Sequence, residues 1–164
     1  MQAIPGDEPP YNGALRDRAR FRAILSFDGA HLMPKAPVPD QYRDILESTQ
    51  LAHLATVDEH GRPQVNPVWF IWDGEHILLS IRPETKKFRN LQRAPHVALS
   101  ILDPANPQRY LELRGEVDEW ELYRDLTFVN QLARKYTGAD YTRGVVGEER
   151  YKATIRIDSW TGQN

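Results

Sequence analysis

The sequence predicts a mainly β domain, an antiparallel sheet closing toward a barrel with helices at its flanks. Three observations lead there. Five strand-like segments follow one another between residues 51 and 120. Most loops between them are short, which suits antiparallel neighbours rather than βαβ crossovers. The 164-residue length, with 40% hydrophobic and 27% charged residues, fits one globular domain with its own core.

Residues 1–39 stand apart through Pro5, Pro9, Pro10, Pro34, Pro37 and Pro39. They read as a Pro/Arg-rich extension wrapping a domain formed by residues 40–164. Within it Arg16, Arg18, Arg20 and Arg22 alternate with other residues: a strand would place them on one face, a helix on two stripes, and periodicity does not choose. The first element of the domain is a helix over 41–49, with Tyr42, Ile45 and Leu46 at helical spacing and Asp40 as its cap. A strand over 51–57, a turn over 58–61 and a strand over 63–72 follow. Asp73-Gly74 is a two-residue hairpin signal leading into a strand over 75–81. Thr85 is placed to cap a short helix over 86–93. Strands over 96–102 and 109–120 flank the Pro-rich loop 103–107. A helix over 121–136 follows, carrying Leu122, Leu126, Val129, Ala133 and Tyr136 at helical spacing and stopped by Gly138. The last strand runs over 151–160.

Composition removes several function classes. Lys plus Arg number 21 against 23 Asp plus Glu, and a net charge of −2 does not suit a dedicated nucleic-acid binder. No cysteine is present, so disulfides, thiolate nucleophiles, zinc–thiolate sites and iron–sulfur clusters are excluded. Apolar runs are too short to span a bilayer and Gly6 to Pro10 does not resemble a signal peptide, so a cytoplasmic protein without a transmembrane segment is expected. No phosphate loop, dinucleotide fingerprint, nucleophile elbow or paired-His zinc motif occurs. The histidines His31, His53, His60, His76 and His96 lack metal-ligand spacing, so no metal is expected; His53, in a strand, is the one to follow. The acidic residues sit mostly at turns and helix starts, and no catalytic acid–base pair stands out.

One run is unusual in its placement. From Ser80 to Asn90 a strand ends in a hydroxyl, the chain turns, and a helix opens with Lys86, Lys87 and Arg89. Cations at a helix N-terminus oppose its partial positive charge, which suggests a bound anion. The same cations equally suit a solvated basic face, and spacing alone does not decide.

The segments at 51–57 (LAHLATV), 61–70 (GRPQVNPVWF), 87–91 (KFRNL) and 109–110 (RY) together resemble the split β-barrel flavin/deazaflavin family, the pyridoxamine-phosphate-oxidase-like superfamily, and within it the F420-dependent reductase branch. The resemblance spans roughly residues 40–160 and implies an FMN-binding type of split barrel, assembled as a homodimer with cofactor at the subunit interface. It implies that Ser80, Lys86, Lys87, Arg89 and Asn90 hold the cofactor phosphate. It further implies that Gln64, Val65, Asn66, Pro67 and Val68 run along the ring, and that Arg109 and Tyr110 reach the cofactor of the other subunit. Charge-assisted bonds from Lys and Arg suit phosphate oxygens. Pyridoxamine phosphate oxidases proper carry a C-terminal Arg-His motif, which residues 155–164, without a His, lack.

The function implied is hydride transfer from reduced coenzyme F420 to an unsaturated small-molecule acceptor such as an enone, quinone or tetrapyrrole. FMN-dependent oxidoreduction on the same fold, and non-catalytic binding of either cofactor, are the alternatives. The cofactor carries the redox chemistry, which agrees with the lack of a visible acid–base constellation. Trp69, Phe70, Trp72 and Tyr136 are the aromatic candidates for a substrate pocket, though core positions would explain them too. The four alternating arginines are candidates for the acidic tail of F420.

Overall fold

A computed structural model describes residues 37–163. All but the last three positions of the expected extension, including its four alternating arginines, lie outside the described residues. A 3-10 turn, Asp40–Tyr42, leads into α1 (Arg43–Glu47). The strands are β1 (Ala52–Val57), β2 (Pro63–Val68), β3 (Ile71–Trp72), β4 (His76–Ile81), β5 (His96–Leu102), β6 (Tyr110–Tyr123) and β7 (Arg150–Gln163). Helix α2 (Lys86–Arg93) joins β4 to β5, and α3 (Thr127–Thr137) lies between β6 and β7.

All strand pairs are antiparallel, in the order β2-β1-β5-β6-β7-β4-β3. The two edge strands are consecutive in the chain, separated by Trp69 and Phe70 alone. Laid flat, six strand spacings of ~4.8 Å would hold the edges about 29 Å apart. Three Cα–Cα steps span at most about 11 Å. The sheet therefore has to curl until its edges nearly meet, and the mainly β split barrel expected from the sequence is what forms. Leu54, Ile77, Leu79, Leu99, Leu111, Leu113 and Ile155 fill its interior and are essentially inaccessible.

The open seam is fastened by α3. The Tyr136 hydroxyl accepts from Phe70 N (3.2 Å) and donates to Gln50 O (3.1 Å). Lys135 Nζ donates to Leu46 O and Phe70 O, each at 3.2 Å, with its ammonium 4.1 Å from the centre of the Phe70 ring. Burial lowers the Lys135 pKa to about 8 and, despite its hydrogen bond to Phe70, raises that of Tyr136 to about 12. Phe70 itself is fully buried.

Several expected boundaries shift. The strand expected over 63–72 breaks at Trp69 and Phe70, because β2 pairs with β1 whereas β3 pairs with β4. The hairpin turn centres on Gly74 and Glu75, since Asp73 N bonds His76 O (3.2 Å) and the Asp73 carboxylate accepts from the Glu75 and His76 amides. Asp40 does not cap a helix: it opens the 3-10 turn, 3.6 Å from Arg43. The helix expected over 121–136 begins only at Thr127. Glu121, Leu122 and Tyr123 are strand residues paired with Lys152, Tyr151 and Arg150, and the long reach of β7 overrides their helical periodicity. Thr85 and Gly138 behave as expected. Thr85 Oγ1 accepts from Phe88 N (3.3 Å), and Gly138 closes α3 at φ +75°.

Candidate functional site

The three cations opening α2 have three different surroundings. Lys86 is half exposed and lies 3.4 Å from Asp58 Oδ2. Asp58 is itself nearly buried and accepts the amides of Arg62 (3.0 Å) and His60 (2.9 Å) as well as Arg62 Nε (3.0 Å), contacts that hold its carboxyl well below the usual range. Arg89 is exposed and donates to Glu84 O (3.1 Å). Lys87 is half-buried, has no hydrogen-bond or ion-pair partner among the described residues, and its pKa is lowered by burial. Asn90 is buried and spans from α2 to β1 and β2, donating to Thr56 Oγ1 (3.0 Å) and Gln64 Oε1 (3.2 Å). Gln64 in turn donates to Asn66 Oδ1 (2.9 Å).

Lys87 lines a cavity of about 700 Å3 bounded by β2, β4, α2, α3 and the loop after α3. This is the size of a small-molecule site. One wall is apolar, built by Pro67, Val68 and Trp69 at the seam and by Val129, Leu132 and Ala133 on α3. Trp69 is held by stacking on Tyr136 (5.3 Å, 7° between planes) and by the edge of Tyr141 (6.1 Å). The polar wall carries Ser80, Lys87, Arg143 and Arg150. Ser80 Oγ lies 2.5 Å from the Tyr123 hydroxyl, whose pKa burial raises. Asp140 also lines the cavity but is paired with Arg134 at 2.5 Å. The wall is thus cationic on a chain whose net charge is −2. A half-buried ammonium without a counter-ion among the described residues is costly unless an anion meets it, and the apolar lining of the same cavity suits an aromatic ring.

Of the residues expected from the sequence, the structure brings Ser80, Lys87, Pro67, Val68 and Trp69 to this cavity. Val65 is 57% exposed on the sheet edge. Phe70 is core, and Tyr136 supports Trp69 from behind. Trp72 packs elsewhere, under the Arg43 guanidinium (5.4 Å). Arg109 lies against α1: both terminal nitrogens are engaged, by Asp44 (2.7 and 2.9 Å), Asp103 (2.7 Å) and the Gln41 carbonyl. Tyr110 opens β6 opposite Gln163. His53 is exposed on β1 opposite Pro67. Sequence reasoning missed Tyr141, Arg143 and Arg150. Their only signal is that Arg150, Lys152 and Thr154 alternate at the start of β7, and a cation beside Glu148 and Glu149 reads as surface.

The curled antiparallel sheet, with a cavity beside its seam, defines a split-barrel protein. The chain belongs to the pyridoxamine 5'-phosphate oxidase family, whose model matches residues 38–155. Among solved structures it is similar to an F420 reductase, with 36% identity and a TM-score of 0.69, covering 76% of this chain and 98% of that one. A conserved hypothetical protein from Mycobacterium tuberculosis (20% identity, TM-score 0.60, covering 79% and 86%) shares the fold. So does General Stress Protein 26 from Bacillus anthracis (15% identity, TM-score 0.57, covering 75% and 91%). No curated protein sequence matches the chain.

Proposed function

We propose that this chain is an F420-dependent oxidoreductase acting on an unsaturated organic acceptor. The observation that carries the reading is Lys87: a half-buried ammonium without a counter-ion among the described residues, in a cavity lined also by apolar side chains. That donor set fits a phosphate-bearing tricyclic cofactor. The 36% identical F420 reductase supports the deazaflavin over the flavin.

In this reading Lys87 and Ser80 hold the phosphate, and Arg89, exposed one turn on, adds a distant attraction. Lys86 and Asn90 act indirectly, Lys86 by tying the β1–β2 turn to α2 through Asp58 and Asn90 by fixing Gln64. The segment Gln64, Val65, Asn66, Pro67 and Val68 runs along the ring. Because β2 is an edge strand, its outward amides and carbonyls have no strand partner among the described residues and are available to ring heteroatoms. Trp69, Val68 and Leu132 exclude water from the reacting face. When bound, a reduced deazaflavin supplies a hydride, which with one proton from solvent saturates the acceptor's double bond. We place the cofactor at the seam of a homodimer. Tyr110 is the residue expected to reach across it, since the Arg109 guanidinium is largely committed to Asp44 and Asp103.

The test is parallel titration of the protein with F420 and FMN, followed by anaerobic turnover of the better ligand against enones and quinones. Tighter binding of F420 and oxidation of its reduced form by an acceptor support the reading. Preference for FMN assigns the flavin instead, and tight binding without turnover across the panel makes the protein a cofactor carrier.

A further inference from the structure

Ser80 meets a partner that comes from two strands away. Leu79 and Ile81 point into the barrel and are buried, so Ser80 between them faces outward and lines the cavity beside α3. Strand β7 lies between β4 and β6, with Lys152 opposite Ser80 and Arg150 opposite Tyr123. Only a long side chain crosses the roughly 10 Å of two strand spacings. The Tyr123 phenol does so and ends 2.5 Å from Ser80 Oγ, with the edge of the Phe128 ring packed against it (6.0 Å between ring centres, 89° between planes). Neither hydroxyl has another hydrogen-bond partner among the described residues. Each carries one proton, and the bond between them uses only one of the two. The phenol is the stronger acid, which makes it the better donor and the alkyl hydroxyl the better acceptor. Burial raises the Tyr123 pKa above its ordinary value, so the phenol keeps its proton at neutral pH. With the Tyr123 proton engaged on Ser80, the Ser80 proton is free to turn into the cavity, on the wall that also carries Lys87.

We propose that Tyr123 is a positioning residue: it donates to Ser80 and so makes Ser80 a dedicated donor to the phosphate of the bound cofactor. Hydrogen bonds in a chain polarise one another, so the Ser80 hydroxyl donates more strongly while its oxygen accepts from Tyr123. The inference rests on the reading in which Lys87 and Ser80 hold that phosphate, and it adds to it a residue that acts through Ser80. The run of β6 as far as Tyr123, against the helical periodicity of its sequence, is what carries the phenol to β7 and over it.

The test is a double-mutant cycle on the affinities of FMN and riboflavin, read by flavin fluorescence in the wild type, Tyr123→Phe, Ser80→Ala and the double variant. Tyr123→Phe keeps the ring and its contact with Phe128, so the fold is preserved. It is expected to weaken FMN by about three- to tenfold and to leave riboflavin unchanged. Once Ser80 is alanine, Tyr123→Phe should weaken FMN no further. Ser80→Thr, which keeps a hydroxyl, should retain most of the wild-type affinity for FMN. Equal weakening of the two flavins by Tyr123→Phe is a structural effect and overturns the proposal. So does an unchanged FMN affinity, or an undiminished effect of Tyr123→Phe in the Ser80→Ala background. Should the flavins not bind, F420 and its phosphate-free deazariboflavin core take their place as the pair. Lys87→Gln separates this role from the proposed function. A preference for the phosphorylated ligand that falls in Lys87→Gln but not in Tyr123→Phe overturns the role of Tyr123 alone. The reverse pattern supports Tyr123 and counts against Lys87 as the anchor, and a wild type without the preference overturns both.

Discussion

Lys86, Lys87 and Arg89 share one turn of α2, and their surroundings divide them. Asp58 neutralises Lys86, exposed Arg89 donates to a main-chain carbonyl, and Lys87 is left half-buried at the cavity. A hydrogen bond to a charged group contributes about 1.5–3 kcal/mol. Lys87→Gln is therefore expected to weaken F420 by roughly ten- to a hundredfold, and Arg89→Gln by no more than about threefold. Equilibrium dialysis of the two variants checks this, and equal losses would contradict it. Lys135 gives a second prediction at the same scale. Its pKa is about 8 in the folded chain against an ordinary 10.5, so between these values the unfolded chain binds more protons and stability rises with pH. Below pH 8 both states are protonated and this contribution is flat. Urea melts between pH 7.5 and 9.5 should show a steeper slope in the wild type than in Lys135→Met, where the lowered pKa of Lys87 leaves a residual rise of the same sign. Staying below pH 10 avoids Tyr136, whose raised pKa acts in the opposite sense above that value.

Short-range chemistry governs where the elements begin and end. Thr85→Ala removes the only side-chain cap of α2 and is expected to cost about 1 kcal/mol. Thermal denaturation would detect it, and an unchanged midpoint would deny the cap its role. Thr85 and Gly138 were legible because a cap and a left-handed closure are local. The end of β6 was not. Leu122 satisfies a helical stripe with Leu126 and Val129, yet it pairs with Tyr151 across a distance in sequence that periodicity does not sense. Gly115 gives no warning either: a Cβ there would fall on the Arg156 carbonyl, a clash set by the bulge between Arg114 and Gly115. For the cavity lining, Lys87 and Val68 were legible because they lie within motif segments, and Ser80 because it opens the run leading into α2. Arg150 was not, since the Tyr141 ring beside it comes from an irregular loop whose path periodicity does not give.

At the scale of the molecule, the connection through Trp69 and Phe70 forces the sheet to curl, and the same two residues form the cavity's edge and its seam lock. The seam lock and the cavity edge are adjacent residues, so a variant that frees the seam should lose the ligand along with stability. Among the described residues no helix is long and apolar enough to cross a membrane. Light scattering is expected to give twice the monomer mass, since the proposed cofactor site lies between two copies; a monomer that binds cofactor fully would contradict that placement. The central claim is that Lys87 anchors the phosphate of a redox cofactor in this cavity. The most direct measurement is the affinity of FMN and riboflavin, a pair differing in the phosphate, for the wild type and Lys87→Gln, with F420 alongside. The account predicts that the wild type favours FMN over riboflavin, that Lys87→Gln removes most of the difference, and that F420 weakens in parallel. Equal binding of FMN and riboflavin by the wild type, or F420 affinity untouched by the substitution, would contradict it.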